Sequence, residues 1–212
     1  MSASDEESAV TISSELGDEP AVDYKIHKLN GKSVDEIGYL TNKMEIVDEE
    51  GLSDMMNNVT LISADETVLA IFITLDVTEA RQALHSSIVK AMDKLGLVPG
   101  NTSVIISERV MNLPVNEIYR AYGQVLAEHS DYVFISRFRN VSGKDLNDLI
   151  VDFPEMKPKE LKKLPCNTEE LFLIDLCEKC EVVDAKGAHY RVMHVKESGI
   201  RNFLTKLSNE IE

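Results

Sequence analysis

Ile105-Ile106-Ser107-Glu108-Arg109-Val110-Met111-Asn112-Leu113-Pro114 changes character twice within a short span. The β-branched apolar run that begins at Thr102 and Val104 reads as a buried strand. Ser107, Glu108 and Arg109 interrupt it with polar groups, making a corner at the strand's end. Pro114 has no N–H to give and its φ is already helical, so it opens a helix. Strand, polar corner, helix is the local reading. Glu108 and Arg109 either neutralise one another or mark a site.

Working outward, the helix from Pro114 turns Val115, Ile118, Tyr119, Tyr122, Val125 and Leu126 inward, and Tyr132 to Phe138 follows as a strand. Upstream, Asp76-x-x-Glu79 offers an N-cap to one helix with the stripe Ala80, Leu84, Ile88, Ala91, Met92, Leu95, and Pro99-Gly100 stops it. Before that, Val59 to Ile62 and Val68 to Leu75 read as strands about an Asp65-Glu66 turn. The chain opens with a strand over Val22 to Leu29. A capping box Ser33-x-x-Glu36 then starts a helix with Val34, Ile37, Leu40 and Met44 inward, and a shorter helix spans Leu52 to Met56. Residues 140–167 are irregular; over Leu171 to Val183 a helix could start at Thr168, but the β-rich run Leu-Phe-Leu-Ile favours a strand. Asp184 to Gly187 is a turn and His189 to Val195 the returning strand. Ser198 caps a last helix with Ile200, Phe203, Leu204, Leu207 and Ile211 inward. Six or seven strands among helices predict an α/β (α+β) fold, a mixed sheet flanked by helices, in a single domain over residues 22–212.

Lys and Arg number 22 against 37 Asp and Glu, a net charge of −15. Residues 1–60 hold 14 acidic and 4 basic side chains, so most of the excess lies at the N-terminal end. Such a field repels nucleic-acid phosphate and anionic membrane, and either favours a basic protein partner or serves solubility alone. Residues 1–21 read as a disordered acidic tail, and Asp5, Glu6, Glu7, Glu15, Asp18, Glu19 and Asp23 are the candidate partner-binding residues. Three cysteines are too few for a disulfide framework and predict a reducing intracellular compartment. There is no signal-peptide layout, and the longest apolar run, Val68 to Leu75, is far short of a membrane span.

Candidate chemistry is sparse. Cys177-Glu-Lys-Cys180 has metal-ligand spacing, and Cys166 with His189 would complete a zinc set. On a strand, however, positions i and i+3 point to opposite faces, so free thiols are the preferred reading. No nucleotide cradle of either glycine-rich type is present. Arg120-Ala-Tyr-Gly123-Gln-Val125 approaches the acetyl-coenzyme-A motif, but Val125 replaces a small residue and Pro114 places Gly123 two turns inside a helix. Its N–H groups are therefore spent on helix hydrogen bonds. Ser107 lacks a nucleophile elbow, which leaves Glu108 and Arg109 a structural corner, with Asn112 or a neighbour capping the helix. No catalytic, cofactor or metal residues are assigned. Lys157, Lys159, Lys162 and Lys163 form a short basic window that could serve nuclear import.

Ser107-Glu-Arg-Val-Met-Asn-Leu-Pro-Val115 resembles the Ser-Glu-Arg-apolar-x-Asn-apolar-Pro segment of the BCCIP family. Leu52-Ser-Asp-Met-Met56, Phe72-Ile-Thr-Leu-Asp-Val-Thr-Glu-Ala-Arg81 and Glu169-Glu-Leu-Phe172 resemble further family segments in the same order. Ser107, Glu108, Arg109, Asn112 and Pro114 are thus family markers. The resemblance implies a largely antiparallel mixed sheet similar to GCN5-type N-acetyltransferases, without their coenzyme site and without a cofactor. It implies a non-enzymatic chaperone or adaptor for a basic large-subunit ribosomal protein, acting in ribosome biogenesis and nuclear export, in nucleus and cytoplasm. Animal members bind a breast-cancer susceptibility protein and a cyclin-kinase inhibitor, so nuclear-transport and cell-cycle proteins are further expected partners. The alternatives are an acetyltransferase with an eroded motif and a zinc-stabilised adaptor.

Overall fold

The computed structural model describes residues 22–29, 34–47, 58–97, 99–110, 113–126, 131–152, 154 and 161–211. The Leu52–Met56 helix, Asn112, Lys157, Lys159 and every acid of residues 1–21 lie outside them, whereas Asp23 is described.

The two hairpins form where the turn residues allow them. Strands β2 (Val59–Ala64) and β3 (Thr67–Asp76) pair antiparallel through Asp65 and Glu66, whose φ angles of 47° and 67° are those of a type I′ connection. Strands β7 (Lys179–Ala185) and β8 (Ala188–Lys196) pair through Lys186 and Gly187, again both at positive φ. β1 (Tyr24–Lys28), β4 (Thr102–Arg109), β5 (Asp131–Asn140) and β6 (Lys163–Pro165) complete the sheet. Its order is β1-β2-β3-β4-β5-β8-β7, with β6 paired to β5 off that path. Only the β4–β5 pairing is parallel among the described strands, so the sheet is mixed and largely antiparallel, as expected.

Helices cover both faces. α1 (Val34–Lys43), α2 (Val77–Ala83) and α3 (Ser86–Leu95) pack on one, burying Ile37, Leu40, Ile88 and Met92 against Leu61, Ile71, Ile73 and Val104. α4 (Val115–Val125), α6 (Leu171–Leu176) and α7 (Glu197–Asn209) cover the other. There Tyr122 meets Phe72 and Phe203 edge to face, with ring centroids 5.2 and 5.1 Å apart. Such contacts add about 1 kcal/mol each to what burial of the rings contributes. α5 (Gly143–Asp152) packs on a small satellite cluster around Leu161 and Leu171.

Several expectations need correction. The helix predicted from Asp76 to Leu95 is two helices, although its capping box is present, with Asp76 Oδ1 accepting from the Thr78 and Glu79 N–H groups. It breaks because Leu84 takes an extended conformation and bridges to Val47, and the His85 N–H donates to the Ile46 carbonyl. His85 Nδ1 then accepts from the Ser87 N–H to start α3. Gly96, at φ 71°, ends α3 before Pro99 is reached. Leu171–Leu176 is helix, not strand, and α5 and β6 occupy the stretch read as irregular. Val115 and Ile211 are exposed, and α7 is entered at Lys196, so Ser198 lies inside its first turn.

Candidate functional site

β4 runs two residues beyond its predicted end, so Glu108 and Arg109 are strand residues rather than a corner. Adjacent strand residues project to opposite faces, and the two charges find separate partners. Glu108 is buried on the α1 side, where its Oε2 meets Arg137 Nη2 of β5 at 3.2 Å, and Arg137 Nη1 also donates to the Lys43 carbonyl at the end of α1. Arg109 projects to the α4 side and pairs with Glu169. Pro114 occupies the N-cap position of α4 with no side-chain capping bond.

The parallel strands β4 and β5 stay in register only to Ile106 and Ile135 and then diverge. Phe138 pairs with His189 of β8 on one edge and Pro165 of β6 on the other, so β6 takes the edge that β4 has left. The 3₁₀ turn Thr168–Glu170 that follows drives two carboxylates into the gap. Glu170 is 2% exposed and bridges the diverging strands: Ser107 Oγ of β4 donates to its Oε1 at 3.1 Å and Ser136 Oγ of β5 to its Oε2. Asn167 Nδ2 adds a third donor at 3.0 Å. Glu170 has hydroxyl and amide partners but, among the described residues, no paired cation, so burial, with the neighbouring Glu169 charge adding to it, pushes its pKa up to about 7. Glu169 is also raised by burial, against the pull of Arg109. Burial and both carboxylates push the Tyr122 hydroxyl up as well.

On the outer side of this network lies a cavity of about 550 Å³ between α4, α6 and α7. Leu113, Ile118, Leu171, Phe172 and Leu207 give it an apolar floor, and exposed Val115 flanks it. Arg109 and Glu169 close its inner end as an ion pair. Lys206 lies over the Phe172 ring at 5.5 Å. Asp175 and Glu210 are the rim carboxylates, and neither forms an ion pair with a described residue.

Of the sequence-predicted residues, Ser107 and Arg109 reach this network, whereas Glu108 serves the opposite layer. Asp23 is exposed just ahead of β1, 3.9 Å from Lys25. Gly123 lies well inside α4, as the spacing from Pro114 required. Glu169, Glu170, Asn167 and Ser136 went unassigned, and the one available signal was the Glu169-Glu170 pair beside the apolar run at Leu171. Among the described residues no three His, Cys, Asp or Glu side chains are grouped to hold a metal ion. His189 is committed elsewhere, with Nδ1 2.6 Å from Asp184 Oδ1 and Nε2 3.2 Å from Asn140 Nδ2. Among the described residues no helix is long and apolar enough to cross a membrane.

Neither a protein-family model nor a curated protein sequence matches the chain. Solved structures do. BCP1 from Saccharomyces cerevisiae, of the BCCIP family, superposes with a TM-score of 0.57 at 14% identity over 93% of each chain. An uncharacterised protein from Bacillus halodurans matches at 0.47 and 7% identity, covering 90% of this chain and 93% of that one. The loading GNATL domain of CurA from Lyngbya majuscula matches at 0.46 and 9%, covering 83% and 98%. The chain has a BCP1-like fold, the architecture expected from Ser107 to Val115 and the segments around it.

Proposed function

We propose that this chain is a non-enzymatic chaperone or adaptor for a basic protein client, with a large-subunit ribosomal protein as the favoured client. Ribosome biogenesis and nuclear export are its setting, in nucleus and cytoplasm, with nuclear-transport or cell-cycle proteins as further partners. The observation that carries this reading is the charge: −15 in all, with 14 acidic against 4 basic side chains in residues 1–60. Asp5, Glu6, Glu7, Glu15, Asp18, Glu19 and Asp23 screen the client's positive charge. The cavity between α4, α6 and α7 supplies shape, its apolar floor taking an apolar client side chain and Asp175 and Glu210 a neighbouring Lys or Arg. The filled gap between β4 and β5 supports the absence of an enzymatic role, since Glu170 occupies the space that the diverging strands would open to a ligand.

Affinity purification of the full chain with mass spectrometry tests the proposal: ribosomal protein and export factors are enriched, and their absence overturns it. Binding of the purified client weakens steeply as salt rises, because exposed charges are screened within about 10 Å at 0.1 M. A complex indifferent to molar salt and to deletion of residues 1–21 removes the tail from the mechanism. Heat of binding from acetyl-coenzyme A at micromolar concentration would restore the acetyltransferase alternative, and stoichiometric zinc by elemental analysis the zinc-stabilised adaptor.

A further inference from the structure

Cys177-Glu178-Lys179-Cys180 takes no part in the site above and does not lie on a strand throughout. α6 ends at Cys177, whose N–H donates to the Leu173 carbonyl at 2.9 Å and whose thiol donates to the Ile174 carbonyl at 3.2 Å. The chain bends at Glu178, whose N–H is held by the His194 carbonyl at 2.9 Å, and β7 begins one residue later with Cys180 opposite Met193. On a straight strand positions i and i+3 would face apart. The bend breaks that alternation: Cys177 packs against the cluster that contains Met193, and Cys180 is paired directly with Met193, so both thiols lie on the α6–α7 face of the sheet. Cys180 is exposed and Cys177 half-buried.

We propose that Cys177 and Cys180 form a dithiol–disulfide site that reacts with small disulfides of the glutathione type. Cys180 is the attacking group. Its interaction with the neighbouring Cys177 thiol, aided by the positive charges of Arg191 and Lys163 and opposed by burial and Glu181, lowers its pKa to about 7, so a large share is thiolate at neutral pH. The interaction with Cys180, together with burial, holds the Cys177 thiol protonated. The Cys180 thiolate attacks one sulfur of glutathione disulfide, the S–S bond breaks, and the departing glutathione thiolate takes up a proton. Cys177 then loses its proton as its sulfur attacks Cys180 Sγ, and the second glutathione leaves as thiol. Two protein thiols are oxidised to one disulfide while one glutathione disulfide is reduced to two glutathiones. Cys166 is the internal control: the residue is exposed, but partial desolvation of its sulfur raises its pKa, so little of it is thiolate at neutral pH.

The full-length chain is incubated with glutathione disulfide at neutral pH, quenched by alkylation and mapped by peptide mass spectrometry. The expected product is a Cys177–Cys180 disulfide with Cys166 alkylated. Cys177→Ser retains glutathione on Cys180, and Cys180→Ser acquires none on Cys177 over the same period. The wild-type map stands without either variant. A glutathione adduct that persists on wild-type Cys180, reaction chiefly at Cys166, or all three thiols left free would each overturn the assignment.

Discussion

Replacing Glu170 by Gln keeps the side chain's shape and removes its ability to ionise, which isolates what the buried carboxyl costs. In the folded chain its pKa is about 7, against 4.5 ordinarily. The folded state therefore binds this proton more tightly than the unfolded chain. Between those two values the native protein carries the extra proton, and stability falls as pH rises through that window. A gap of about 2.5 pH units, at ~1.4 kcal/mol each, amounts to about 3 kcal/mol lost between acid and neutral pH. Gln offers one acceptor where the carboxyl offers two, so a fixed penalty of ~1 kcal/mol is expected at every pH. Other carboxylates also titrate, so the quantity to read is the difference between variant and wild type. Urea unfolding from about pH 5 to about pH 8 measures it. The stability of Glu170→Gln relative to wild type should rise by about 2.5 kcal/mol across that range, since part of the loss has already occurred by pH 5. A difference that stays flat would mean that Glu170 ionises normally in the folded chain, and the account of the filled gap would fail.

Arg109→Ala strands the buried Glu169 carboxylate, and Glu108→Ala strands Arg137, so each should lose about 3 kcal/mol in chemical denaturation. Either variant fully stable yet unable to bind client would make this a contact surface instead. Gly199→Ala should destabilise by about 1–2 kcal/mol, because the added Cβ would lie 2.8 Å from Val195 Cγ1 and 3.1 Å from the Leu176 carbonyl. A raised melting temperature would show that α7 can shift away from α6. Asp175→Lys at the cavity rim should leave stability unchanged and weaken client binding about tenfold in titration calorimetry, a like-charge penalty of ~1.4 kcal/mol. Unchanged affinity removes the cavity from the proposed function.

Much of the fold was legible because periodicity and turn chemistry agreed. Asp65-Glu66 and Lys186-Gly187 sit where alternation pauses, and both hairpins form there. The aromatic side of the core was readable too, since Tyr122 and Phe203 fall on the predicted stripes of their helices. The failures share a cause in tertiary contact. No local signal breaks the stripe from Ala80 to Leu95; the break is made by Ile46 and Val47, which compete for the backbone of Leu84 and His85. Leu171 to Leu176 has the β-rich composition of a strand, yet it packs against α7 as a helix burying Leu171 and Leu173.

The candidate site was harder to read for a reason that Glu108 and Arg109 make plain. Adjacent opposite charges look self-neutralising on paper. In a strand they cannot be, because the side chains leave on opposite faces of the sheet. Each must then draw a partner from a different layer: Arg137 on β5 for Glu108, and Glu169 from the turn before α6 for Arg109. Arg109 and Glu169 are 60 positions apart, and Ser107 and Glu170 are 63 apart. Nothing within a local window can announce such pairings. They explain how a polar triplet can end a buried strand: Ser107, Glu108 and Arg109 fasten the diverging end of β4 to both faces of the fold at once. With that end fastened, Glu170 is held in the gap between β4 and β5, and the cavity floor beside it is fixed in place.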